Sequence, residues 1–219
     1  MEKLKVLQRV MSDGVVAVLR GDSPEEVVKA AEKAIEGGIK IIEITMTVPF
    51  ALDAIKTLAL NYHSGSEEDP IIGAGTILDP ETARLAILNG AAFIVSPSLN
   101  KETMVLCNRY RVPILPGVSS VKEVQEALEC GADLVKLFPG NHFAPSMIKT
   151  IKGPYPQVHI MPTGGVSLEN LHEWVNAGAA AVGIGSDLTS ETYKTGDYEL
   201  LTKKAEQYVA AYRKALVNN

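Results

Sequence analysis

Aromatic residues are scarce in this chain: seven Tyr, four Phe and one Trp make up 5% of 219 residues. The apolar mass is therefore Ala, Val, Ile and Leu, the material of an α/β enzyme interior and not of a secreted scaffold. A basic excess is also missing. Twenty-one Lys and Arg face 26 Asp and Glu, a net charge of −5, so nothing is available to neutralise a nucleic acid or an anionic membrane, and neither is expected as a partner. Any phosphate must be bound locally. Cysteine is limited to Cys107 and Cys130, with no CxxC pair and no neighbouring histidine cluster. That pattern excludes a disulfide framework or structural zinc and suits two buried small hydrophobes in a reducing compartment. No apolar run approaches the ~18 residues of a membrane span. Met1-Glu2-Lys3-Leu4-Lys5 opens an amphipathic segment with no signal-peptide h-region, so a soluble cytoplasmic protein is expected.

What the chain does have is repetition. Hydrophobic residues reach 46%, enough for a sizeable core, and 18 glycines punctuate short β-branched runs at 15–20, 39–46, 71–76, 92–97, 112–117, 134–139, 158–165 and 181–186. Eight runs give about 27 residues per unit, close to one βα repeat of an eightfold barrel. Between them, Ser23-Pro24-Glu25-Glu26 and Asp79-Pro80-Glu81 read as helix N-termini with a cap, a proline in the first turn and acids near the positive end of the dipole. Glu36-Gly37-Gly38, Asn89-Gly90-Ala91, Cys130-Gly131-Ala132 and Ala177-Gly178-Ala179 read as helix exits. Segment 61–70 is a polar surface loop and 198–215 a closing amphipathic helix. These features predict one domain over 1–219, a (β/α)8 TIM barrel of eight parallel strands with an extra N-terminal helix.

Two residues break the apolar pattern. Lys136 stands in the middle of Asp133-Leu134-Val135-Lys136-Leu137-Phe138-Pro139-Gly140, although lysine is seldom buried without a reason. Snorkelling between helices, or a structural ion pair, is the ordinary explanation. Glu43 stands in Ile41-Ile42-Glu43-Ile44-Thr45-Met46, where strand alternation puts it on one face with Ile41 and Thr45. A satisfied buried carboxylate is the ordinary explanation there. Together they fit a different chemistry: a desolvated lysine becomes a neutral amine able to form an imine with a carbonyl, and a nearby carboxylate can move the protons.

Pro162-Thr163-Gly164-Gly165-Val166-Ser167 and Gly183-Ile184-Gly185-Ser186 end the seventh and eighth runs, where barrels commonly hold phosphate on backbone N–H groups. Glycines there also serve plain tight turns. Thr76, Pro97 and Pro116-Gly117 end the third, fourth and fifth runs and are kept for that shared position. His63, His142, His159 and His172 fall on unrelated segments, so no metal and no cofactor are expected.

The chain resembles the KDPG aldolases, also called KHG/KDPG aldolases, over almost its whole length. The resemblance is carried by Gly37-Gly38 with Ile42-Glu43-Ile44-Thr45, by Gly73-Ala74-Gly75-Thr76, Ser96-Pro97 and Pro116-Gly117-Val118-Ser119, and by Val135-Lys136-Leu137-Phe138-Pro139 and Pro162-Thr163-Gly164-Gly165-Val166. It implies a trimeric, metal-free class I aldolase of the Entner-Doudoroff type, in which Lys136 forms a Schiff base with pyruvate or the 2-keto acid and Glu43 transfers protons. Thr76, Pro97, Phe138 and Thr163 would line the substrate pocket, and Gly164, Gly165, Gly185 and Ser186 would hold phosphate. Cleavage of 2-keto-3-deoxy-6-phosphogluconate would give pyruvate and glyceraldehyde 3-phosphate. The 6-phosphogalactonate isomer and 4-hydroxy-2-oxoglutarate are further candidate substrates, and a phosphate-binding barrel isomerase or epimerase is the competing class. The sequence departs from the family at Thr47, a candidate substrate-binding residue in the place where an arginine commonly holds the substrate carboxylate. Arg20, at the end of the first run, is expected to supply that charge.

Overall fold

A computed structural model describes residues 3–217; Met1 and Glu2, part of the amphipathic opening segment, lie outside the described residues. Helix α1 (Lys3–Asp13) leads into β1 (Val15–Leu19), α2 (Pro24–Glu36), β2 (Ile41–Thr45), α3 (Ala51–Asn61), β3 (Ile71–Gly75), α4 (Pro80–Leu88), β4 (Ile94–Val95) and α5 (Lys101–Arg109). Then come β5 (Ile114–Leu115), β6 (Gly117–Val118), α6 (Val121–Glu129), β7 (Leu134–Leu137), α7 (Ser146–Lys152), β8 (His159–Pro162), α8 (Leu171–Asn176), β9 (Val182–Ile184), α9 (Ser186–Thr195) and α10 (Glu199–Val217). Every strand pair is parallel. One sheet runs β5-β4-β3-β2-β1-β9 and a second runs β6-β7-β8. No described helix is long and apolar enough to cross a membrane.

Among the described residues the eight expected runs thus become nine strands in two sheets. The break falls within the run 112–117, where Pro116 separates β5 from β6 and offers no N–H to the ladder. Its carbonyl still accepts from Lys136 N–H at 2.9 Å. At the other edge, Thr163 bridges Gly183 in parallel, and Ala180 N–H donates to the Ile160 carbonyl at 2.9 Å.

Local chemistry places the helices. Ser23 Oγ accepts from Glu26 N–H at 3.2 Å at the start of α2, with Pro24 in its first turn, and Asp79 Oδ1 accepts from Thr82 N–H at 2.6 Å at the start of α4. At the exits, Gly38, Gly90, Gly131 and Gly178 have φ of 92°, 99°, 81° and 97°. The next residue's N–H returns to a carbonyl five positions back, as in Ala91 to Ala86 and Ala132 to Ala127, both at 3.0 Å. This 6→1 bond is the Schellman closure. A fifth such joint escapes sequence reading: Val112 N–H bonds the Cys107 carbonyl at 3.0 Å while Arg111, not glycine, takes φ 55°.

Two apolar clusters result. Ile42, Ile44, Ala74, Val135, Leu137 and Ile184 pack outward against the helices. Val16, Val18, Ile41, Ile71, Phe93, Leu134 and Met161 pack on the opposite, inner face with Val6, Leu7 and Val10 of α1. Helix α1 therefore plugs the inner face where the strands begin. The chain beyond the plugged residues on β2 and β7 carries Glu43 and Lys136.

Candidate active site

Glu43 lies two residues beyond Ile41 on β2, and Lys136 two beyond Leu134 on β7, so each shares the inner face with its apolar neighbour. Glu43 is fully buried and Lys136 only 4% exposed. Lys136 Nζ is 3.5 Å from Glu43 Oε1 and 5.2 Å from the centroid of the Phe138 ring. Glu43 Oε2 has no hydrogen-bond partner among the described residues. Burying such a pair costs more than a loose, half-satisfied contact returns, so a purely structural purpose explains it poorly. An amine beside a carboxylate with a free oxygen can exchange protons. Gly75 makes the room: a Cβ on it would lie 2.0 Å from Glu43 Oε1.

Phe138 connects this pair to a cavity of about 530 Å³, which it lines together with Thr163, Gly164, Gly165, Gly185 and Ser186. Thr163 is 5% exposed, and its Oγ1 has no partner among the described residues. Ser186 opens α9, whose N-terminus presents backbone N–H groups. Gly164 and Gly165 have φ of 92° and 74°. A Cβ on Gly165 would come within 2.8 Å of Asn141 Cβ, and Gly140 N–H donates to the Thr163 carbonyl at 2.7 Å. The glycine loop is thus also needed for packing on the turn after β7.

Arg20, exposed at the end of β1, borders both this cavity and a second one of about 480 Å³ that contains Thr47 and Tyr193. Tyr193 Oη donates to the Arg20 carbonyl at 2.5 Å; burial, then the nearby Glu26 carboxylate, raises the Tyr193 pKa and keeps that proton in place. Thr47 is exposed and its Oγ1 lies 2.8 Å from Thr45 Oγ1. Thr76 and Pro97 line neither cavity. They approach the ion pair only through neighbours: Thr76, with φ 57°, follows Gly75, and the Pro97 carbonyl abuts Gly117, the register partner of Lys136.

Sequence reading gave Gly75 and Ser167 only inside longer motifs and passed over Asp187, Ser190, Glu191, Lys194 and Lys204, which also line the first cavity. Alternation of Gly73 and Gly75, the register partners of Glu43 and Thr45, was a usable signal for Gly75. Lys204 carried none, because a lysine on an amphipathic helix looks the same whether it faces a cavity or solvent. The four histidines are exposed and scattered, and no group of three His, Cys, Asp or Glu side chains suits a metal among the described residues. Cys107 is buried as expected, its thiol pushed up to about 12 by burial, whereas Cys130 is only half-buried. Cys130 follows the last turn of α6, where one side of the chain meets solvent.

Residues 6–204, which include this buried pair and both glycine loops, match the family described as KDPG and KHG aldolase. The chain belongs to the KDPG and KHG aldolase family. Within that family it is 33% identical to the 2-dehydro-3-deoxy-6-phosphogalactonate aldolase of Escherichia coli K12 across 92% of this chain and 96% of the relative. It is 35% identical to the 2-dehydro-3-deoxy-phosphogluconate aldolase of Haemophilus influenzae across 78% and 79%. Among solved structures, the KDPG aldolase of Legionella pneumophila, with pyruvate captured as a covalent carbinolamine, superposes with a TM-score of 0.83 at 31% identity, covering 91% of this chain and 96% of that one. Family membership makes this chain an aldehyde-lyase.

Proposed function

We propose that this aldolase cleaves 2-keto-3-deoxy-6-phosphogluconate to pyruvate and glyceraldehyde 3-phosphate, with Lys136 as the Schiff-base residue. The observation that carries the proposal is the buried Lys136–Glu43 pair, 3.5 Å apart, beside the glycine-lined cavity. Lys136 gives a proton to Glu43, and its free amine adds to the C2 carbonyl to form a carbinolamine. Glu43 returns that proton to the carbinolamine hydroxyl, which leaves as water, so that the protonated imine forms and the carboxylate is free again. Glu43 then takes the C4 hydroxyl proton, directly or through water, as the C3–C4 bond breaks. Its electron pair flows into the imine, leaving an enamine and releasing the aldehyde. Protonation at C3 and hydrolysis return pyruvate and the amine.

In this reading Phe138 and Thr163 flank the keto acid, with Thr76 and Pro97 supporting the same end. Backbone N–H groups of Gly164, Gly165, Gly185 and Ser186 hold the phosphate at the start of α9. Arg20 supplies the carboxylate contact that Thr47 cannot. The two sheets act as one closed eightfold barrel in a single domain over 1–219, and the protein works as a cytoplasmic homotrimer without metal or cofactor. The 33% identity to the phosphogalactonate enzyme favours that C4 epimer as a second substrate.

Incubation with pyruvate and borohydride, followed by peptide mapping, is the direct test. Reduction at Lys136 is the expected result, and absence of any adduct would sink the Schiff-base reading. Arg20→Ala should raise the KM for pyruvate and for the keto acid by roughly 10-fold or more, the value of one charge-assisted hydrogen bond. An unchanged KM removes Arg20 from the site.

A further inference from the structure

Beyond Ser186, the wall of the first cavity draws on residues of α9 and α10 that carry none of the sequence features tied to the reaction. Lys204 of α10 and Asp187 in the first turn of α9 both line the cavity, and Lys204 Nζ lies 3.0 Å from Asp187 Oδ2. The same Oδ2 accepts from the hydroxyl of Tyr208, one turn along α10 and itself buried. Burial, then Asp187, holds the Tyr208 pKa far above its ordinary value, so the hydroxyl stays a donor. Asp187 is thus fixed in position, and it fixes Lys204. The remaining cations lining this cavity are less constrained: Lys194 is exposed, and Arg20 sits between the two cavities.

An unopposed Asp187 next to Ser186 would repel a dianion entering the glycine loops. Lys204 cancels that charge and, with three donors, keeps N–H bonds available toward the cavity. Thr163, whose buried Oγ1 has no partner among the described residues, lines the same cavity and is a second sign that a polar ligand belongs there. Resting on the aldolase reading above, we infer that Lys204, oriented by Asp187 and Tyr208, is a specificity-determining residue that sets the preference for a phosphorylated over an unphosphorylated aldehyde.

The condensation direction isolates this effect. Pyruvate is offered with glyceraldehyde 3-phosphate or with glyceraldehyde, which differ only in the phosphate, and the ratio of the two kcat/KM values is measured. Lys204→Met lowers that ratio roughly 10- to 100-fold, the size of one hydrogen bond between charged groups, with the change in KM for the phosphorylated aldehyde. Lys204→Arg restores most of the ratio. Adding Asp187→Asn to Lys204→Met recovers part of it by removing the uncancelled charge. Lys204→Gln repeats the test should Lys204→Met fold poorly. Equal losses on both aldehydes, or no loss, overturn the assignment. Borohydride trapping of pyruvate on the wild-type enzyme separates the two levels: trapping at Lys136 with an unmoved ratio removes Lys204 alone, and no trapping removes the aldolase reading.

Discussion

The inner face of the strands buries different chemistry at its two ends. Where the strands begin, Val16, Ile41, Ile71, Phe93 and Leu134 close on Val6, Leu7 and Val10 of α1, all apolar and all buried. Where they end, Glu43, Thr45, Ser96, Lys136 and Thr163 supply five of the eight buried polar or charged side chains among the described residues. Two residues of strand separate the regimes: Ile41 gives way to Glu43, and Leu134 to Lys136. The plug end can therefore be optimised for packing, while the other end holds charges that packing alone would reject.

Removing Lys136 should break this division most severely. Lys136→Met is expected to lower kcat by at least roughly 10³-fold, as loss of a covalent catalyst does. It also leaves Glu43 buried without its cation, which costs about 3–5 kcal/mol. The double variant Lys136→Met/Glu43→Gln should regain most of that stability while staying inactive, measured by urea unfolding and turnover. If the single variant is as stable as the wild type, the buried Glu43 carboxylate does not depend on Lys136 as its counter-charge.

Phe93→Ala tests the opposite end. Its ring sits against Gly73 and is fully buried, so truncation should cost about 3–5 kcal/mol with kcat of the folded enzyme unchanged. Gly75→Ala reverses that balance. Its Cβ would fall 2.0 Å from Glu43 Oε1, and displacing the carboxylate should lower kcat about 100-fold for a stability loss of only about 1–3 kcal/mol. A large kcat effect from Phe93→Ala, or none from Gly75→Ala, would erase the distinction between the ends.

The sequence made the chemistry-bearing end legible because its residues violate local expectation. A lysine and a glutamate inside Ile/Val/Leu-rich runs stand out by type, and alternation alone gave their faces. Helix starts at Ser23 and Asp79 were equally readable, since capping depends on neighbours in sequence. What stayed hidden depends on distant contacts. Pro116 divides a run into β5 and β6 through a missing donor whose effect appears only once the ladder exists. The Arg111 joint uses a left-handed residue of the wrong type, and the place of Lys204 on the cavity rim is decided by how α10 lies across α8 and α9.

Position at the functional end is not sufficient for function, and Asp79 shows why. It follows β3, at the same end as Glu43, but its side chain caps α4 on the outside: Oδ1 takes the Thr82 N–H at 2.6 Å and Oδ2 the Thr82 hydroxyl at 2.9 Å. These bonds, the backbone one foremost, hold its pKa below the ordinary 3.8. A carboxylate with a lowered folded pKa stabilises fully above its ordinary value and loses that contribution as the pH falls through the lowered one. Asp79→Ala should therefore cost about 1 kcal/mol near neutrality, and the gap between variant and wild type in urea should narrow as the solution is acidified below the ordinary carboxylate range. The kcat of Asp79→Ala should match the wild type. A fall in kcat would place Asp79 with the inner-face residues, and a gap independent of pH would mean that the charged form of the cap contributes nothing.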